Sequence, residues 1–171
     1  MELHRTAAGR AWPLSAWILF PLLLIAALPV RAEGLEGYTL HGQLGAYTHY
    51  SSSDDHKGPP VLVNLELNSP QDWLFGLSLF NNSFGQFSQY LYAGKKWRLP
   101  KIQKYLQVKL TAGVVHGYDD EFEDKIPFNK DGWGVGVIPS VGFKKDRWAV
   151  DLVALGTAGL LLAVGYDIWE W

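Results

Sequence analysis

The sequence predicts an all-β fold, an eight-stranded antiparallel transmembrane β-barrel, and three observations predict it. From residue 38 onward, segments of about ten residues alternate apolar and polar side chains, the period of a strand with two different surroundings. Aromatic residues are abundant, with eight Trp, eight Tyr and eight Phe, and they gather near one end of these segments. No segment after the first thirty residues approaches the roughly 20 apolar residues that a membrane helix needs. A water-soluble lipocalin-like barrel or sandwich would show the same alternation, but it would hide its apolar face. Here the face carrying the amides and charges is the one that must be hidden.

Taken in order, the chain opens with Arg5 and Arg10, an apolar run from Ala16 to Val30 interrupted by Pro21, and Val30-Arg31-Ala32. This is the pattern of a secretory signal, and it is expected to be removed after residue 32. Residues 1–32 hold three Arg and one Glu, so their loss takes the formal charge from −2 to −4. A net negative domain is a poor partner for nucleic acid. Cysteine is absent, which excludes a disulfide framework, a thiol nucleophile and a lipoprotein anchor. Residues 33–171 are expected to form one domain, a monomer in the bacterial outer membrane reached by Sec-type export.

The eight strands are expected near 38–50, 61–67, 73–80, 89–97, 104–116, 132–143, 147–155 and 160–171. In the first, Tyr38, Leu40, Leu44 and Ala46 point outward, and His41, Gln43, Gly45, Tyr47 and His49 inward. In the second, Val61, Val63, Leu65 and Leu67 face out and Asn64 and Glu66 face in. The fifth is the clearest: Leu106, Val108, Leu110, Ala112 and Val114 share one face, and Gln107, Lys109, Thr111 and Gly113 the other. In hydrocarbon the apolar face is the outer one. With both ends of an even-stranded barrel in the periplasm, Tyr38, Trp73, Trp97, Tyr105, Trp148, Trp169 and Trp171 all fall near the periplasmic rim, as an aromatic girdle requires. Tight turns are expected at 68–71 and 144–146 on that side, with a longer one at 98–103. Longer loops are expected at 51–60, 81–88 and 117–131 on the outer side, and a short one at 156–159.

This topology brings His49, Asn82 and Ser83 to the outer rim. Histidine with serine is the minimum set for acyl transfer, since imidazole can take the hydroxyl proton while nearby donors stabilise the oxyanion. Ordinary polar rim residues would read the same way. Inside, His41, Gln43, Glu66, Lys96, Gln107 and Lys109 lie toward the periplasm, and Tyr47, Leu62, Tyr92, Thr111 and Gly113 nearer the outside. A polar plug beneath a less polar chamber suits one aliphatic chain, although the polar groups could equally satisfy one another in a structural barrel. Pro59, Pro60 and Pro139 lack ladder donors and mark places where the wall could part. The acidic run Asp119, Asp120, Glu121, Glu123 and Asp124 could bridge to lipid phosphates through divalent cations, or simply be solvated. No cofactor and no resident metal are called for.

Four stretches carry a resemblance to a known family. Phe80-Asn81-Asn82-Ser83-Phe84 followed by Tyr92-Ala93-Gly94-Lys95-Lys96-Trp97, then Leu110-Thr111-Ala112-Gly113-Val114, then Ile138-Pro139-Ser140-Val141-Gly142-Phe143, resemble in order and spacing the PagP family of outer-membrane lipid A palmitoyltransferases. The resemblance implies transfer of palmitate, or a similar chain, from a glycerophospholipid donor to a hydroxyl of lipid A. It places the family's histidine on His49 and its Asp-Ser pair on Asn82 and Ser83, so an amide stands where the family has a carboxylate. It implies an acyl pocket formed by Tyr47, Tyr92, Gly94, Lys96 and Gly113, with Lys96 where the family has a glycine. The short run before Tyr38 has no amphipathic helix, and strand seven has no proline. Two other readings remain open: a non-enzymatic barrel that stabilises the membrane or binds a surface ligand, and a lipid A deacylase or phospholipase.

Overall fold

The structure, a computed structural model, describes residues 34–50, 61–118, 120–156 and 159–171, without the side chains of Asp120, Glu121 and Glu123. The expected signal segment, the 51–60 loop with Pro59 and Pro60, and Asp119 lie outside the described residues. Eight strands close on themselves in sequence order: β1 (Thr39–His49), β2 (Val61–Asn68), β3 (Trp73–Asn81), β4 (Phe87–Arg98), β5 (Leu106–His116), β6 (Trp133–Lys145), β7 (Trp148–Ala154) and β8 (Gly159–Glu170). Every neighbouring pair is antiparallel, and β1 closes on β8 from Thr39 opposite Glu170 to His49 opposite Gly159. Closure leaves no strand at a free edge along the paired ladders, which a chain crossing hydrocarbon requires. Among the described residues no helix is long and apolar enough to cross a membrane; the strands do the crossing.

The polarity is inverted relative to a soluble domain. Leu44, Leu91, Val137 and Leu162 are more than half exposed on the outside, while His41, Glu66, Lys109, Asp151 and Asp167 are buried within. Only a hydrocarbon surrounding makes this arrangement favourable. Trp73, Trp97, Trp148 and Trp169 are exposed at the end of the barrel that carries the β2–β3 and β6–β7 turns, with Lys95 over Trp73 and Arg147 over Tyr166. Cations stacked on interfacial rings anchor the barrel at the headgroup level.

Strict alternation fails at one place. Leu40 pairs with Trp169 but His41 pairs with Asp167, so Ile168 is an extra residue in β8. The bulge keeps Asp167 inside while Trp169 points out with 59% exposure. The hairpin turns after β2 and β6 place Asp72 (φ 64°) and Asp146 (φ 54°) in the left-handed region, which aspartate tolerates better than most residues. The β3–β4 connection is tighter than the sequence suggested. Strand pairing runs to Asn81 opposite Phe87, leaving only residues 82–86 as the turn.

The wall is uneven at its outer edge. β6 pairs with β5 along its whole upper half, up to Trp133 opposite His116, but with β7 only from Ser140 opposite Val153 downward. Pro139, which has no N–H to offer, sits at the residue where the second ladder stops. Residues 133–139 therefore border β5 on one side and have no β7 partner on the other.

Candidate functional site

Three structural choices bring the rim residues together. Val61, the first residue of β2, pairs with Ala46, so above that level β1 continues without a β2 residue paired beside it. The turn after β3 then carries Ser83 toward the last inward residues of β1. His49 Nε2 lies 2.6 Å from Ser83 Oγ, and Tyr47 Oη lies 3.2 Å from the same oxygen. Tyr47 and His49 alternate on one face of β1, with ring centroids 5.1 Å apart in an edge contact. Ser83 is buried, so the hydroxyl is held rather than solvated.

Asn82, expected to orient the imidazole, is turned elsewhere. Its Oδ1 accepts from the N–H groups of Phe84 and Gln86, each at 3.0 Å, and its Nδ2 donates to Gln86 Oε1 at 3.1 Å and Gly117 O at 3.0 Å. The side chain is an organiser of the turn and a tie to the next loop, acting on Ser83 only through the backbone. Its four bonds also explain the amide: a carboxylate has no donor for the two acceptors at Nδ2. Gly85 (φ 82°) completes the turn and Gly117 (φ 108°) the strand exit that receives the tie.

Below the rim lies a cavity of about 310 Å³, lined by Tyr47, Leu62, Phe80, Tyr90, Tyr92, Val115, Ile138 and Leu161 among others. Val137, Val153, Leu155 and Gly156 border it as well, so the cavity reaches the wall where β6 and β7 part. An aromatic lid stands at its outer end and meets the cavity through Tyr118. Phe84 stacks on Phe122 at 3.8 Å and meets Tyr118 edge-on at 6.4 Å, while Val135 N–H bonds back to Pro127 O. Burial raises the pKa of the Tyr118 phenol well above its usual range, with a smaller push from nearby Tyr47, so it stays protonated at physiological pH.

The floor is a network of charges. Lys109 Nζ stands between Glu66 Oε1 at 3.1 Å and Asp151 Oδ2 at 3.2 Å. Gln43 and Gln107 donate to Asp151 at 2.7 and 3.0 Å. Tyr92 Oη donates to Glu66 at 3.0 Å and accepts from Asn64 Nδ2 at 2.9 Å, its ring lying over Gly76 of β3. Deeper still, Asp167 accepts from Lys144 Nζ and pairs with His41 Nδ1 at 2.6 Å.

Of the residues expected to form an acyl pocket, Tyr47 and Tyr92 line the cavity; Gly94, Lys96 and Gly113 do not. Lys96 is engaged elsewhere, its Nζ bonding to Asn68 Oδ1 at 2.7 Å. Gly113 is Tyr92's partner in the β4–β5 ladder, where the tyrosine ring supplies the wall. The acidic run is seen at Asp124, which pairs with Lys125 at 2.8 Å. Among the described residues no group of three His, Cys, Asp or Glu is placed to hold a metal.

Neither models of protein families nor curated proteins match the sequence. Among solved structures, the N-terminal β-barrel domain of Pseudomonas aeruginosa OprF is 12% identical, with 78% of this chain and 98% of that one covered and a TM-score of 0.49. The outer membrane protein Ail of Yersinia pestis in a phospholipid bilayer nanodisc is 16% identical, covering 78% and 100%, with a TM-score of 0.43. The crystal structure of Ail with a heparin analogue is 14% identical, covering 77% and 98%, at 0.40. These likenesses concern the barrel alone.

Proposed function

We propose that the chain is an acyltransferase of the bacterial outer membrane that moves a palmitoyl or similar acyl chain from a glycerophospholipid to a hydroxyl of lipid A. The observation that carries this reading is the 2.6 Å contact between His49 Nε2 and Ser83 Oγ at the top of an acyl-sized, mostly apolar-walled cavity. His49 is the general base and Ser83 the hydroxyl it acts through, with Asn82 holding the turn that presents Ser83. The outer membrane is the compartment that suits a closed even-stranded barrel with an apolar exterior. The gap between β6 and β7 offers a donor lipid a sideways route that avoids the aromatic lid.

The depth bears on chain length. Six residues of β1 separate His49 from Gln43 at the floor. At about 3.4 Å per residue and a tilt of about 45°, that is roughly 14 Å. With C–C bonds near 1.5 Å, an extended chain advances ~1.3 Å per carbon, so about eleven carbons fill it. A palmitoyl group would have to bend or leave its end at the gap.

The non-enzymatic barrel is the second reading, and the floor favours it: its charges are largely satisfied by one another, as a purely structural interior demands. Expression in a bacterium lacking lipid A acyl addition, followed by mass spectrometry of lipid A with fragmentation, separates the readings. Acyltransfer predicts one added chain, lost in His49→Ala and Ser83→Ala variants that still show folded-barrel gel mobility. Loss of a chain would instead indicate a deacylase or phospholipase. An unchanged spectrum with folded protein supports the structural barrel.

A further inference from the structure

Among the described residues, the turn that carries Ser83 offers little of the backbone oxyanion hole that acyl chemistry at a serine ordinarily uses. In the run 82–86, the N–H of Asn82 donates to Gln86 O at 2.8 Å and that of Gly85 to Asn82 O at 3.0 Å. Those of Phe84 and Gln86 are both taken by Asn82 Oδ1. Four of the five backbone donors are thus committed to holding the turn, and only that of Ser83 itself has no described acceptor. An oxyanion bound by one donor is poorly stabilised. The side chain that makes up the deficit is already in place: Tyr47 Oη lies 3.2 Å from Ser83 Oγ, and its alternative acceptor, Asn81 O, is at a longer 3.4 Å.

We infer that Tyr47 is a catalytic residue whose phenolic O–H, with the Ser83 N–H, binds the oxyanion formed when Ser83 attacks an acyl ester. The inference rests on the acyl-transfer reading and gives the reaction its electrophilic half. His49 Nε2 takes the Ser83 hydroxyl proton as Oγ bonds to the ester carbonyl carbon, whose oxygen becomes the oxyanion within reach of Tyr47 Oη. Collapse breaks the bond to the glycerol oxygen, which leaves with the proton from His49 and gives an acyl-Ser83. The acceptor hydroxyl then gives its proton to His49 and attacks the same carbon. A second oxyanion forms at Tyr47, and Ser83 departs with the proton. Tyr47 remains protonated throughout, donating a bond that strengthens as charge develops. Base and donor both come from alternate positions of one strand, which fixes their spacing.

The experiment uses the full folded chain in detergent micelles with 4-nitrophenyl decanoate and its thiono ester, whose sulfur is a poor hydrogen-bond acceptor. Labelling of Ser83 by a decanyl fluorophosphonate is read by intact mass. The parent is expected to be labelled, to turn over the oxo ester and to discriminate against the thiono ester. Tyr47→Phe is expected to lower kcat by about 10²-fold, the usual cost of losing one oxyanion donor, with KM little changed and the oxo/thiono discrimination largely lost. If Tyr47→Phe keeps the parental kcat while Ser83 still labels, the role of Tyr47 is overturned and the His49–Ser83 reading stands. If kcat falls but discrimination is unchanged, Tyr47 only positions Ser83, which also overturns the proposal. Absence of both turnover and labelling in the parent removes the dyad reading, and this inference with it.

Discussion

Replacing Lys109 by Met tests the floor of the cavity most directly. Lys109 Nζ is the cation between Glu66 and Asp151, at 3.1 and 3.2 Å, and all three side chains are at least nine-tenths buried. At about 3 Å and an effective dielectric near 20, each contact contributes ~5 kcal/mol of attraction. Desolvation of three charges cancels most of that sum, so the intact cluster is worth little net. Removing one partner is different, because Glu66 and Asp151 would face each other's charge with nothing between. Loss of one partner from a buried pair costs about 3–5 kcal/mol. With a urea slope of about 2 kcal/mol per molar for a domain of this size, the unfolding midpoint should fall by about 2 M. The assay is urea unfolding in detergent, followed by Trp fluorescence and by heat-dependent gel mobility. The triple variant Glu66→Gln, Lys109→Met, Asp151→Asn removes the charges together and should regain most of the loss. A Lys109→Met midpoint within about 0.3 M of the parent, far short of the expected ~2 M shift, would refute the reasoning, as would a triple variant weaker than the single one.

Asn82→Asp should destabilise the folded barrel by about 1–3 kcal/mol, since a carboxylate would meet the Gly117 carbonyl and Gln86 Oε1 with no hydrogen to offer; urea unfolding reads the loss. It should also slow Ser83 labelling, because the turn that presents Ser83 loosens. Ile138→Trp, in the cavity wall beside the β6–β7 gap, should lower turnover of decanoyl esters by about tenfold, ~1.4 kcal/mol of barrier, and leave acetyl esters nearly unaffected. Single-tryptophan variants retaining Trp73 or Trp148 should be quenched more strongly by lipids brominated near the headgroup than by lipids brominated at mid-chain. The reverse order would contradict an aromatic girdle at the membrane interface.

Strand count, inside-out polarity and the closeness of His49 to Ser83 were legible in the sequence because each depends on period-two alternation, which a strand enforces rigidly. All eight strands begin and end within two residues of the positions that alternation gives. The anionic half of the floor was less visible. Asp151 and Asp167 went unnoticed, though Val150 and Leu152 on the opposite parity would have placed Asp151 inside. The depth of the pocket was misjudged for a different reason. Parity tells which face a side chain takes but not which part of the interior it lines: Gly94 and Lys96 share the inward parity of Tyr92 and still lie outside the cavity. The direction of Asn82 was beyond pattern reading altogether, since turn residues obey local hydrogen bonding rather than periodicity. The register break at Ile168 was equally silent, because one surplus residue leaves both neighbouring stretches individually regular.

That surplus residue makes the last strand do two jobs with incompatible phases. Upstream of it, odd-numbered positions serve the lumen and deliver an acid to Lys144 and His41; downstream, an odd-numbered position serves the lipid and delivers an indole to the interface. Deleting Ile168 would force a choice between them, turning Trp169 into a space already filled by charge or swinging Asp167 into hydrocarbon. The closing seam of the cylinder thus owes its fit to a phase slip of a single amino acid.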